Sequence, residues 1–233
     1  MTAAPPRVRP ALAFFDVDET VIAEKSPLAF WRYWRDRHPD RVAADLPDLA
    51  TEAAVTPDRE ALNRRYYRRY AGVPLEELEA AGRGWYEEYR RGAEAFVLPA
   101  LAAVAEHRAA GRAVVLVSGS MRPLLAVLAE ELGASVLVCT ELLVDAAGVL
   151  SGEVRRPMIG RAKAEAAVRL MREHGADPAD CFAYGDHESD LALLRAVGRP
   201  VVVGGSPLLN EHAGRLGWPV IPAGRGPLEA EHA

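Results

Sequence analysis

Two patterns of apolar residues divide the chain. From Gly92 onward, short apolar runs rich in valine alternate with stretches whose apolar positions recur at helical spacing. The runs "AVVLVSGS" (113–120), "SVLVCT" (135–140), "CFAYGD" (181–186) and "PVVVGG" (200–205) predict strands. The stretches "PALAAVAEHRAA" (99–110), "MRPLLAVLAEELG" (121–133), "RAKAEAAVRLMREHG" (161–175) and "SDLALLRAVG" (189–198) predict helices, with Gly111, Gly133 and Gly175 as stops. Strand and helix alternating in this way predict an α/β fold built on a parallel sheet. Near the start, residues 11–15 ("ALAFF") form an apolar block that suits a strand buried on both faces.

Residues 22–98 follow another rule. They hold no convincing β run, but "SPLAFWRYWRDRH", "TPDREALNRRYYRRYAG" and "PLEELEAAGRGWYEEYRRGAEAF" carry helical spacing, with starts expected at Ser26, Thr56 or Pro74. A segment of some 77 residues is too long for a loop and reads as an all-helical insert after the first strand. The expected division is therefore a core of residues 1–21 and 99–233 and a helical unit of residues 22–98. Residues 141–156 interrupt the alternation with two β-like runs about Asp145-Ala146-Ala147-Gly148, which predicts a hairpin or flap. The Gly-, Pro- and Glu-rich tail beyond Pro222 is expected to fray.

The apolar block ends in "FFDVDET", two aspartates separated by one residue at a strand's C-terminal end, where open α/β sheets place their ligands. If the strand continues through them, Asp16 and Asp18 share a face. Two like charges about 4 Å apart repel by roughly 4 kcal/mol at an effective dielectric near 20. A hard divalent cation such as Mg²⁺ offsets that repulsion and also neutralises a phosphate. The bland alternative has one aspartate capping a turn and the other solvated. An EF-hand is excluded, because its third acidic position, glycine and terminal glutamate are missing.

Other predicted strand ends add to the pair. Ser118 precedes a helix N-terminus, Asp186 closes a strand with Asp190 four residues on, and Lys163 opens the helix between them. Taken singly, a serine there is a cap and a lysine is solvated. In order, D-x-D-x-T, S-G, K and G-D-x-x-x-D resemble the four motifs of the haloacid dehalogenase superfamily, over nearly the whole chain outside the insert. Within it, the placement of the insert and the stretches "CTELLVDAAGVLSGEV", "AYGDHESDLALL" and "GWPVI" are similar to the phosphoserine-phosphatase-like hydrolases with a helical cap.

That resemblance implies a Rossmann-like sheet with the Asp16 strand central, flanked by those ending in Ser118 and Asp186. It implies a Mg²⁺-dependent phosphatase acting on a small phosphate monoester through an aspartyl-phosphate, with Asp16 the nucleophile and Asp18 the acid and base. Asp16, the Asp18 backbone carbonyl and Asp186 would hold the metal. Ser118, Gly119 and Lys163 would face the phosphate, while Asp190 and Thr20 would order the surroundings. A phosphotransferase or phosphomutase would share this core, and a non-catalytic binding module is the rival from another class. His187 stands where the fourth motif often has Ser or Gly; it either reaches the site or faces solvent, and the second is the expectation. Phosphoserine phosphatases read the substrate amine with a glutamate nine residues after the nucleophile, where this chain has Lys25, with Glu24 one place earlier. Glu24 and Lys25 are thus the expected readers of the leaving group: a carboxylate would select an amine, as in histidinol phosphate, and Lys25 an additional anion. A small polar monoester is the expectation, an amine-bearing one among the alternatives, with sugar and lipid phosphates open.

Composition narrows the partners. A formal net charge of −5 gives no general reason to expect nucleic acid or an anionic membrane. "NRRYYRRY" (63–70) interleaves basic residues with tyrosines, but reads as an amphipathic helix with its tyrosines buried and its arginines solvated. No apolar stretch approaches the roughly 20 residues that span a bilayer, and the N-terminal apolar run is too short for a signal-peptide core. Cys139 and Cys181 are expected as buried reduced thiols. A cytoplasmic enzyme is the resulting expectation, with its oligomeric state open.

Overall fold

Four consecutive residues, Leu12, Ala13, Phe14 and Phe15, are each no more than 1% exposed, and burial on both faces is what forces them into the middle of a sheet. The computed structural model describes residues 10–42, 49–56 and 58–228. The first strand, β1 (Leu12–Phe15), leads into four helices, α1 (Ser26–Arg37), α2 (Leu49–Val55), α3 (Arg59–Arg68) and α4 (Leu75–Tyr89). Then follow β2 (Phe96–Val97), α5 (Leu98–Ala109), β3 (Ala113–Met121), α6 (Arg122–Glu131) and β4 (Val136–Thr140). The hairpin β5 (Leu142–Val144) and β6 (Leu150–Val154) precedes α7 (Arg161–Glu173), β7 (Phe182–Gly185) and α8 (Leu191–Leu194). The chain closes with β8 (Arg199–Val203), α9 (Pro207–Leu216), β9 (Val220–Ile221) and β10 (Arg225–Gly226).

Among the described residues the main sheet has six strands in the order β4-β3-β1-β7-β8-β9, and every pairing in it is parallel. Alternation along β1 divides the interior: Ala13 and Phe15 join one apolar cluster with Leu101, Val104 and Leu125, while Leu12 and Phe14 join another with Ala167, Met171 and Leu209. Helices α5 and α6 therefore cover one face, and α7 and α9 the other. Burying a phenylalanine side chain fully contributes about 1.5–3 kcal/mol, so β1 anchors both layers. This is the α/β parallel sheet expected from the alternating pattern.

The helical insert shares the first of these clusters, through Phe30, Trp34, Tyr67, Tyr70 and Tyr86. Its two chain crossings lie side by side, with Ala23 N–H donating to Ala95 O at 2.8 Å and Val97 N–H to Val21 O at 2.9 Å. Three details differ from expectation. Ser26 is the first residue of α1 and its side chain is not a cap, while α3 is capped by Asp58, whose carboxylate accepts from Glu60 and Ala61 N–H. Arg69 is buried, with a carboxylate of Glu52 2.8 Å away and its guanidinium over the Trp31 ring. The tail beyond Pro222 is also not all frayed: β10 pairs antiparallel with β2, which itself supplies two strand residues to the insert's end. Residues 1–9 and 229–233, included in the expected core and tail, lie outside the described residues.

The Asp145 turn has the expected form, its carboxylate accepting from Ala147 and Val149 N–H at 2.9 Å each and Gly148 taking φ 77°. Cys139 is half-buried and Cys181 buried, and neither is in a disulfide. Among the described residues, no helix is long and apolar enough to cross a membrane.

Helix α4 meets α6 at Gly82, where a Cβ would lie 2.0 Å from the Pro123 carbonyl oxygen. Helix propensity alone favours alanine there by about 1 kcal/mol. Backbone overlap outweighs it, so Gly82→Ala is expected to destabilise by about 2–3 kcal/mol in urea titrations. An unchanged midpoint would show that α4 and α6 do not approach so closely.

Candidate active site

The end of β1 is prolonged by one bond, Asp16 N–H to Tyr184 O at 3.0 Å. The chain then turns: Val21 and Ile22 N–H both donate to Val17 O, at 2.8 and 3.0 Å, and Glu19 takes φ 61°. The strand thus stops before Asp18, and it is this turn, not strand alternation, that brings Asp16 and Asp18 to one cavity of about 410 Å³. Within the turn, Thr20 Oγ1–H donates to Asp186 Oδ1 at 2.9 Å and Ser26 N–H donates to Asp18 Oδ1 at 2.9 Å.

Lys163 is the third residue of α7 and only 3% exposed. Its Nζ donates to Asp16 Oδ1 at 2.6 Å and Asp190 Oδ1 at 2.7 Å. Burial disfavours the ammonium, yet the two carboxylates outweigh burial and hold the lysine charged. Asp186 follows β7, and Asp190 ends a short 3₁₀ turn whose first N–H contact is His187 N–H to Asp190 Oδ2 at 3.2 Å.

Carboxylate oxygens of Asp16, Asp186 and Asp190 lie within 4.8 Å of one another. Burial, then the Asp190 charge, pushes Asp186 up to about 6 and raises Asp16 well above the carboxylate range, against the pull of Lys163. Asp18 is raised by burial too, partly offset by hydrogen bonds from Ser26. One ammonium among these carboxylates leaves a surplus of negative charge and of hard oxygen donors. Such a donor set fits Mg²⁺.

Ser118 lies inside β3 and not at its end, since the strand runs on to Met121. Its Oγ is buried and accepts from Ser120 N–H at 3.0 Å. Gly119 does line the cavity, and its carbonyl accepts from Asn63 Nδ2 at 2.9 Å, Tyr67 Oη at 2.8 Å and Thr140 Oγ1 at 2.8 Å. His187 lines the cavity instead of facing away into solvent, because it opens the turn that places Asp190. Lys25 lines it as well, with Nζ 3.2 Å from Glu19 Oε2. Glu24 is outside the cavity lining, paired with Arg32 at 2.6 Å. The structure also brings in Arg59, Leu62, Asn63 and Tyr66 of α3, which no expectation included. Their spacing of three and four residues was the available signal, a single helical face beside buried tyrosines.

Asp16, Asp18 and the buried ammonium of Lys163 thus meet in one cavity at the ends of parallel strands. The model of the haloacid dehalogenase-like hydrolases matches residues 13–195, and the chain belongs to that family. It is 32% identical to the inhibition of morphological differentiation protein of Streptomyces azureus, over 90% of this chain and 77% of that one. It is 31% identical to a probable phosphatase of Mycobacterium tuberculosis, over 93% of this chain and 76% of the relative. A solved structure of a phospho-aspartyl intermediate analogue of phosphoserine phosphatase superposes with a TM-score of 0.67 at 21% identity, covering 94% of this chain and 95% of the other. That likeness shows the shared fold.

Asp186 supplies a test of the charge surplus. Its folded value of about 6 lies above the roughly 3.9 of an unfolded aspartate, so stability present below pH ~4 is lost as pH rises through about 6. In EDTA, Asp186→Asn is expected to raise the melting temperature at about pH 7.5, with the advantage shrinking toward about pH 5; linkage bounds it at about 3 kcal/mol. Mg²⁺ should reverse the order by stabilising the parent protein. An asparagine variant less stable in EDTA at both pH values would contradict the surplus.

Proposed function

We propose that this protein hydrolyses small phosphate monoesters with Mg²⁺, carrying the phosphoryl group on Asp16. The observation that supports it most is the pairing in one cavity of Asp16, its carboxylate held by Lys163, with Asp18, whose titration burial raises. Names among the relatives agree with a phosphatase: the mycobacterial protein above, and a histidinol-phosphatase of Neisseria meningitidis at 25% identity.

With Oδ1 tied to Lys163, the other Asp16 oxygen attacks phosphorus, and the bond to the leaving alcohol breaks. Asp18, whose carboxyl burial shifts toward the protonated form, gives its proton to the departing oxygen. It then takes a proton from the water that attacks the acyl phosphate, which releases phosphate and restores Asp16. Ser26 N–H holds the Asp18 carboxyl in place for both transfers. Lys163 and the Ser118–Gly119 segment would meet the phosphoryl oxygens. Asp16, Asp186 and the Asp18 backbone carbonyl would hold Mg²⁺, with Asp190 and Thr20 behind them. The metal supplies neutralisation of phosphoryl charge when bound. Residues 22–98 act in this reading as a cap on a core of 1–21 and 99–233, and Leu28, Leu49 and Leu62 keep water from the cavity.

Hydrolysis of p-nitrophenyl phosphate should require Mg²⁺, stop in EDTA and fall to background in Asp16→Asn, since an amide cannot form the acyl phosphate. Asp18→Asn should lose roughly 10²–10⁴-fold with an alkyl ester, whose leaving group needs the proton, and less with p-nitrophenolate. A folded Asp16→Asn protein with parental turnover would overturn the reading.

A further inference from the structure

The two edges of the main sheet are finished differently. β9 is two residues long and stands between Pro219 and Pro222, and shortness and proline both discourage a further strand. β4 has neither device, since its sequence VLVCT holds no charge and no proline. Among the described residues no strand lies beyond it. The hydrogen-bond phase of the sheet says which of its backbone groups are open. Asp16 N–H points to β7, so the N–H and C=O of Phe15 point the other way, to β3. Leu116 and Leu137 stand in register with Phe15 on the next two strands and point the same way. Leu137, and Cys139 two residues on, thus turn their backbone groups to the free edge. The opening is bounded at both ends, since Ser135 N–H turns back to Val114 O at 2.8 Å and Glu141 O accepts from Arg155 N–H at 3.0 Å.

A groove of about 630 Å³ opens along this edge. Val136, Leu137, Val138, Cys139 and Thr140 all line it, and because successive side chains take opposite faces, it must follow the edge itself. Helix α7 forms one wall, and the start of α6 with Leu75 of α4 the other. One strand residue occupies about 160 Å³, from about 3.3 Å along the strand, 4.8 Å to its neighbour and 10 Å through the sheet. The groove therefore holds roughly four residues of added strand. Its rim carries both signs of charge, with Glu141 and Glu165 beside Arg155, Arg156 and Arg169, which suits neither a nucleic acid nor a peptide of one charge. Glu165 and Arg169 lie one helical turn apart on the groove side of α7. Such a pair complements itself when the helix meets a second copy running antiparallel.

We propose that β4 pairs antiparallel with β4 of a second copy, joining two sheets across a two-fold axis at Val138. In that register Leu137 of each copy exchanges backbone hydrogen bonds with Cys139 of the other, and Val138 faces itself as a non-hydrogen-bonded pair. Glu165 of each α7 faces Arg169 of the other. The two Asp16 cavities open at opposite ends of the joined sheet.

Sedimentation equilibrium of the whole chain is expected to show a dimer. The α7 variants Glu165→Arg and Arg169→Glu, both at exposed positions, each set like charges across the axis and should raise the dimer Kd by about 10- to 100-fold. The double swap should restore it. In a Cys139→Ser background, Val138→Cys should oxidise to a disulfide-linked dimer, because Cα atoms of a non-hydrogen-bonded pair lie about 4.5 Å apart. Val136→Cys, which lies opposite Thr140 of the other copy, should not. A chain that is monomeric at every concentration overturns the proposal, as does a dimer in which Val136→Cys cross-links as readily as Val138→Cys or neither does. A Val138-specific disulfide with no effect of the charge variants keeps the strand pairing and overturns the α7 contact.

Discussion

One buried ammonium organises the molecule's chemistry. Lys163 binds Asp16 at the end of β1 and Asp190 in the turn after β7, so a single side chain ties helix α7 to two strands. Burying these charges unpaired would be costly, and removing one partner of a buried ion pair typically costs 3–5 kcal/mol. The arrangement survives because each charge has a partner and a hydrogen bond. It still leaves more carboxylate than ammonium, an imbalance that a divalent cation would offset.

The sheet order explains why these groups meet at all. β1 lies between β3 and β7, and in a parallel sheet all three C-terminal ends open on the same side. Asp16, the Ser118–Gly119 segment and Asp186 therefore converge although they are far apart in sequence. Alternation within β1 sends Phe14 and Phe15 into different layers, so a shift of register just before Asp16 would expose one core or the other. Apolar packing thus determines where the carboxylate points.

This layered framework was legible in the chain because parallel strands and amphipathic helices leave local, periodic traces. The acidic pair, Lys163, Asp186 and Asp190 were legible for a related reason: each sits at an element boundary that the periodicity marks. Features decided by distant contacts were not. β3 continues past Ser118 because Met121 still pairs with Thr140 of β4. β10 is ordered by β2, over a hundred residues earlier in the chain, and "RG" carries no strand propensity of its own. Arg69 looks like a surface residue until Glu52 and the Trp31 ring enclose it. Arg59 and Asn63 were hidden differently, since a helical face discloses which residues lie together but not what lies opposite.

The insert is joined to the chemistry as well as to the core. Ser26, the first residue of α1, is fully buried, donates its N–H to Asp18 and its hydroxyl to Ser120 Oγ at 2.8 Å. Ser120 N–H in turn donates to Ser118 Oγ. A continuous line of hydrogen bonds therefore runs from Asp18 through the insert's first turn to Ser118. Asn63 and Tyr67 of α3 add a second link by bonding the Gly119 carbonyl. Any displacement of α1 or α3 must strain one of these bonds before it moves the walls of the cavity.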